Sequence, residues 1–158
     1  LKVLDQSIEN DEFHGTSSIT IRYNFIKYGF LAFLENPIFG NGRNGFRQKM
    51  VEKGYDEKYL IPLSHSHNQF ISDLAMRGIF GLISTLLFML VLTLIFFALR
   101  KHGEMEFSSY GIILILFYLM FFLTDSPFIG SMHASLFFIF CNILFFRASL
   151  SRIQRGNY

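Results

Sequence analysis

Two histidines and three arginines are the residues whose types and spacing could do chemistry in this chain. His65-Ser66-His67-Asn68-Gln69 places two imidazoles at alternate positions, just ahead of an amphipathic run that reaches Gly78. Ser66 and Gln69 have the S-x-x-Q spacing of a capping box, which predicts a helix over about 67–77 with His67 and Asn68 in its first turn. The positive end of a helix dipole disfavours imidazolium. His67 is then held neutral and able to accept a proton as a general base. The plainer alternative is a histidine that caps or packs at a membrane boundary, where polar residues are common. Metal ligation is the weaker option, because two ligands are not a site. His14 and Asp73 have no supporting spacing, and no H-E-x-x-H pattern is present. No metal is expected.

Arg22, Arg43 and Arg47 form a candidate anion-binding set, since the planar guanidinium makes paired, charge-assisted hydrogen bonds to phosphate. Arg43 sits in Gly40-Asn41-Gly42-Arg43-Asn44-Gly45, where glycines let backbone approach a ligand closely. A solvated basic loop, or contact with lipid headgroups, is the alternative for Arg43 and Arg47. Arg22 falls on or beside the apolar face of a helix predicted over about 18–35, with apolar residues at 19, 23, 26, 30, 33 and 34. An arginine on a packed face needs an anionic partner or a route to water. Asp125, in Thr124-Asp125-Ser126-Pro127, reads first as a turn residue. A buried carboxylate at that membrane boundary would instead be a functional candidate.

The elements that must position these residues are helical. The mean hydropathy is +0.37 and 18% of the residues are aromatic, 21 of them Phe, which puts the membrane class first. A net charge of +2 is too small to suggest nucleic acid. The single Cys141 excludes an internal disulfide framework and reads as a packing residue. Asn36-Pro37 ends the first helix, because the residue before proline is pushed away from helical geometry. Residues 50–62 are charged and solvated.

No charged residue occurs from Ile79 to Leu99, a run of roughly 30 Å, enough to cross a bilayer. Spans over 107–124 and 129–146 follow, with Ser135 and Asn142 expected to hydrogen-bond between helices. Arg100, Lys101, Arg147, Arg152 and Arg155 put the first connection and the tail in the cytoplasm. The 124–128 turn and residues 1–78 then lie outside. The reading is all-α: a polytopic membrane protein fragment, a helical periplasmic loop followed by three transmembrane helices. The start at Leu1, without Met, signal peptide or basic n-region, is expected of the C-terminal part of a longer protein.

Taken together, three groups of residues carry a resemblance. They are Arg22 in a helix, Asn36-Pro37-x-x-Gly40-x-Gly42-x-x-Gly45-Phe46, and His65-Ser66-His67-Asn68 leading into Arg77-Gly78-x-x-Gly81-Leu82. The pattern resembles the C-terminal part of the O-antigen ligase and polymerase superfamily of the bacterial inner membrane, over nearly the whole chain. The resemblance implies metal-independent glycosyl transfer from undecaprenyl diphosphate, without a cofactor. It implies that His67 is the catalytic histidine, supported by His65, Ser66, Asn68 and Gln69. Arg22 would engage the diphosphate, with Arg43 or Arg47 as a second arginine. Lipid A-core oligosaccharide is the acceptor expected of a ligase, and a second lipid-linked glycan that of a polymerase. The compact His-x-His-Asn favours the ligase. The alternative from another class is a non-enzymatic transporter or export component that uses the basic loop to hold anionic glycolipid.

Overall fold

The computed structural model describes residues 18–52, 66–129 and 131–156. His65 and most of the charged 50–62 segment lie outside them. The architecture is all-α, with no strand among the described residues. The helices are α1 (Ser18–Glu35), α2 (Gly45–Glu52), α3 (Gln69–Lys101), α4 (Met105–Phe122) and α5 (Ser131–Gly156). Helices α3 and α4, with Met132–Ser151 of α5, are long and apolar enough to cross a membrane.

Helix α1 ends at Glu35, just ahead of Asn36-Pro37. Its packed face is not the one that apolar spacing picks out. Phe25, Tyr28 and Ala32 are buried, while Tyr23, Ile26, Phe30 and Leu34 are exposed. Gly29 and Ala32 are small, so this side lets α1 approach α3 closely; a Cβ on Gly29 would run into Ile71. Arg22 is exposed, off the packed face. Helix α2 has no counterpart in the sequence reading. Lys49 holds it to the end of α1, in ion pairs with Glu35 and Glu52. Hydrogen bonds to Glu35 and then Glu52 hold the Lys49 ammonium above the ordinary lysine range.

Helix α3 is broken at Gly78, whose backbone lies at φ 67°, ψ −159°. In an unbroken helix Ile79 N–H would donate to Ala75 O. Here Ile79 N–H donates to Pro37 O (2.8 Å), Asn41 N–H to Ala75 O (2.9 Å) and Gly42 N–H to Met76 O (2.9 Å). The loop after α1 thus fills the backbone groups that the break sets free. The fit needs two residues without a side chain: a Cβ on Gly40 would strike the Met76–Gly78 backbone, and one on Gly78 the Ile38 carbonyl. Asn41 orders the loop, accepting from Asn36 Nδ2 (2.7 Å) and donating to Ala32 O. Gly40 of the glycine-rich stretch is thus used to approach α3, while Gly42 keeps open space around it.

Helices α3, α4 and α5 pack through aromatic rings. Phe96 is fully buried and stacks on Phe145 at 4.7 Å. Tyr118 packs on Phe137 at 4.5 Å and donates its hydroxyl hydrogen to His133 O (3.0 Å). In lipid such packing is held by shape and dispersion, because the surroundings are equally apolar. Gly111 lies flat against the Phe96 ring. Gly111→Val is expected to cost about 1–3 kcal/mol through overpacking, read as a lowered thermal midpoint in detergent; an unchanged midpoint would contradict this packing. Five other polar side chains in the spans serve their own helix: Ser84, Thr93, Ser109, Asn142 and Ser149 each donate to the carbonyl four residues back. Asn142, expected to bond between helices, donates instead to Phe138 O (2.8 Å) of its own helix.

Candidate functional site

The site forms where the start of α3 meets the loop between α4 and α5. Asn68, not Ser66, is the N-cap of α3. Its extended backbone (φ −155°, ψ 117°) lets Oδ1 accept from Ile71 N–H (3.0 Å). The Ser66–Gln69 capping box does not form, because both side chains are used elsewhere. His67 accordingly stands one residue outside the helix. Its backbone is left-handed, at φ 51°, a conformation uncommon for residues other than glycine and worth inspecting for function. The turn lays the imidazole against the buried Phe25 ring of α1, with centroids 5.8 Å apart and planes 21° off parallel. Nδ1 lies 3.5 Å from Asp125 Oδ1, an ion-pair distance when the ring is protonated. About a third of the His67 side chain remains exposed.

Asp125 is carried by the loop Leu123–Ile129, which folds back onto the first turns of α3. Ser126 N–H donates to Asp125 Oδ1 (2.7 Å). Ser66, Ser72 and Ser126 are buried, with hydroxyl oxygens 2.7 Å apart from 66 to 72 and 2.9 Å from 72 to 126. Gln69 Oε1 accepts from Phe128 N–H (3.0 Å), and Asn68 Nδ2 donates to Leu123 O (3.4 Å).

One turn further along, Asp73 is fully buried. It accepts from Gln69 Nε2 (3.1 Å), Arg77 Nη1 (2.8 Å) and Thr85 Oγ1 (2.8 Å). Thr85 lies beyond the break at Gly78, so this carboxylate joins the two parts of α3. A buried charge is tolerable only when paired and hydrogen-bonded in this way.

The sequence-predicted residues do not share one place. His67, Ser66, Asn68 and Gln69 gather at the start of α3, while Arg22 stands on α1, one turn before the Phe25 that packs on His67. Arg43 lies elsewhere: with Gly42, Met76, Arg77, Phe128 and Ile129 it lines an open cleft of about 360 Å³. Met76 and Arg77 stand about two turns along α3 from its first residue, Gln69, roughly 11–12 Å at the helical rise. Arg47 is half-buried on α2. Asp125 was legible as a boundary carboxylate but not as the neighbour of His67, from which many residues and two spans separate it. Asp73 and Arg77, four apart on one helix, carried the spacing of an ion pair.

Three helices long and apolar enough to cross a membrane make this an integral membrane protein, with an imidazole beside a carboxylate where α3 begins. The chain belongs to the O-antigen ligase family, whose model matches residues 2–86. That range holds Arg22, Arg43, Arg47 and His67 and stops before Asp125. The chain is also similar to an uncharacterized protein of Haemophilus influenzae, 26% identical over 137 residues. The match covers 82% of this chain and 34% of that relative, so the chain spans about a third of its length. No solved structure matches.

Proposed function

We propose that this chain carries catalytic residues of a metal-independent inverting glycosyltransferase of the O-antigen ligase type. It would transfer glycan from undecaprenyl diphosphate to lipid A-core oligosaccharide. The observation that carries the reading is the His67–Asp125 pair at 3.5 Å, partly open to solvent and braced by Phe25. An acceptor hydroxyl attacks the anomeric carbon, and its proton passes to His67. The bond from that carbon to the diphosphate breaks on the opposite face, and undecaprenyl diphosphate leaves with the electron pair. Asp125 orients the imidazole and stabilises the imidazolium that forms. Arg22, one turn from Phe25 on an exposed face, meets the developing charge on the diphosphate.

A polymerase would use the same chemistry with a lipid-linked repeat as acceptor; the family's description as O-antigen ligase favours the ligase. The charge pattern supports placing α1, α2, the start of α3 and the α4–α5 loop on the periplasmic side of the bacterial inner membrane, with Arg100, Lys101 and Arg147 in the cytoplasm.

The test is transfer in proteoliposomes containing the intact protein, undecaprenyl-diphosphate-linked glycan and lipid A-core. Arg22→Lys keeps the charge and loses the fork. It is expected to slow transfer about 10-fold or more, the scale of a lost charge-stabilising donor. Unchanged donor affinity and rate would remove Arg22 from the site, and absence of any transferred product from the wild type would favour a glycolipid transporter.

A further inference from the structure

We infer that Gln69, Ser72 and Ser126 are positioning residues, a buried clasp that holds the α4–α5 loop so that Asp125 meets His67. The inference rests on the glycosyl-transfer reading above and adds residues that touch neither substrate nor imidazole.

The hydroxyl chain has one consistent direction. Ser66 Oγ gives its only proton to Asn68 O (2.9 Å). In its 2.7 Å contact with Ser72 it must therefore accept, so Ser72 donates. Ser72 Oγ is then left to accept, from Ser66 N–H (3.3 Å) and from Ser126 Oγ–H (2.9 Å). A hydroxyl has one proton and two lone pairs, and all three on Ser72 are in use. Ser126 stands at the far end, and its own N–H fixes Asp125 Oδ1, the oxygen that faces His67.

Gln69 supplies the second strap. Ionised Asp73 can only accept and the Phe128 N–H can only donate, so the residue between them must offer an NH₂ to one and an oxygen to the other. An amide does this; a carboxylate or an alkyl chain does not. Gln69 thereby ties the loop to the Asp73–Arg77–Thr85 cluster across the break in α3. All three clasp side chains are buried, with Gln69 and Ser72 at 0% exposure and Ser126 at 2%. Polar groups this far from water are costly unless every bond is made, which is the condition under which they fix one geometry.

Two measurements on the intact protein test the clasp. The first reads no activity: hydrogen–deuterium exchange of a peptide spanning residues 123–129. Ser126→Ala and Gln69→Leu should each speed its exchange, and Ser126→Thr should restore wild-type protection. Unchanged exchange in both loosened variants overturns the clasp, whatever happens to activity.

The second is transfer from undecaprenyl-diphosphate-linked glycan to lipid A-core. Ser126→Ala should lower the rate about 10- to 100-fold, the scale of a misplacement of about 1 Å, with donor KM unchanged and the rate recovered in Ser126→Thr. If Ser126 acts through Asp125, the double variant Ser126→Ala/Asp125→Ala transfers no more slowly than Asp125→Ala alone. Multiplying effects, or a wild-type rate in Ser126→Ala beside a slow Asp125→Ala, overturn the positioning role and leave the glycosyl-transfer reading standing. Wild-type rates in both His67→Ala and Asp125→Ala overturn both.

Discussion

Replacing His67 with alanine is expected to slow glycan transfer by about 10²–10⁴-fold, the range for a general base at the reacting hydroxyl. Insertion and donor binding should be retained, because the ring is partly exposed and the helix is capped by Asn68 rather than by His67. The left-handed backbone at this residue calls for a control. Asn tolerates that conformation better than Ala does, so His67→Asn separates lost chemistry from backbone strain. Initial rates in proteoliposomes check the expectation. Equal losses in Ala and Asn fit a missing base, recovery in Asn assigns the effect to strain, and full transfer in both would remove His67 from the mechanism.

The second large effect is structural and sits at Gly78. A Cβ there meets the carbonyl of Ile38 and the backbone nitrogen of Phe39, atoms that no rotamer change can move aside. At φ 67°, ψ −159° the backbone lies in a region essentially confined to glycine, which adds roughly 1–3 kcal/mol of strain for any other residue. Gly78→Ala is therefore expected to dislodge the Asn36–Gly42 loop from α3 and strand Ile79 N–H and the Ala75 and Met76 carbonyls, each at about 1–3 kcal/mol if left buried and unpaired. Gly42→Ala is the matched control. It also has a positive φ, of 73°, but open space around the added Cβ, so it carries positive-φ strain without the clash. The thermal midpoint in detergent should fall well below wild type for Gly78→Ala and only modestly for Gly42→Ala. Equal midpoints for the two would mean that the loop does not dock on the break.

These two residues mark how far the chain can be read from its sequence. The spans were legible because runs such as Ile79–Leu99 carry no charge, and Asn36-Pro37 announced the end of α1 through backbone sterics alone. The buried side of α1 was not legible, since the helix is apolar on both sides. Large exposed residues (Tyr23, Ile26, Phe30, Leu34) outweighed Gly29 and Ala32, whose smallness is what permits close packing. An amphipathic run stops at Gly78 and a charge-free one starts, so the sequence ends one helix at 77 and begins a span at 79. What no local pattern encodes is the loop that docks there, since Pro37, Gly40 and Asn41 lie far back along the chain. The location of His67 was legible and its role in the helix was not. Asn68 and Ser66 both have cap chemistry, and only the tertiary use of Ser66 by Ser72 decides between them. Asp125 and His67 meet through a loop that returns across two spans, a pairing no local spacing encodes.

Glycan transfer to the lipid A-core is the central claim, and the lipopolysaccharide profile of a deletion strain addresses it most directly. Loss of the intact protein should leave lipid A-core without long O-chains, while polymer accumulates on undecaprenyl diphosphate. Core capped by a single repeat would make the protein a polymerase instead, and undiminished long O-chains on the core would contradict the account.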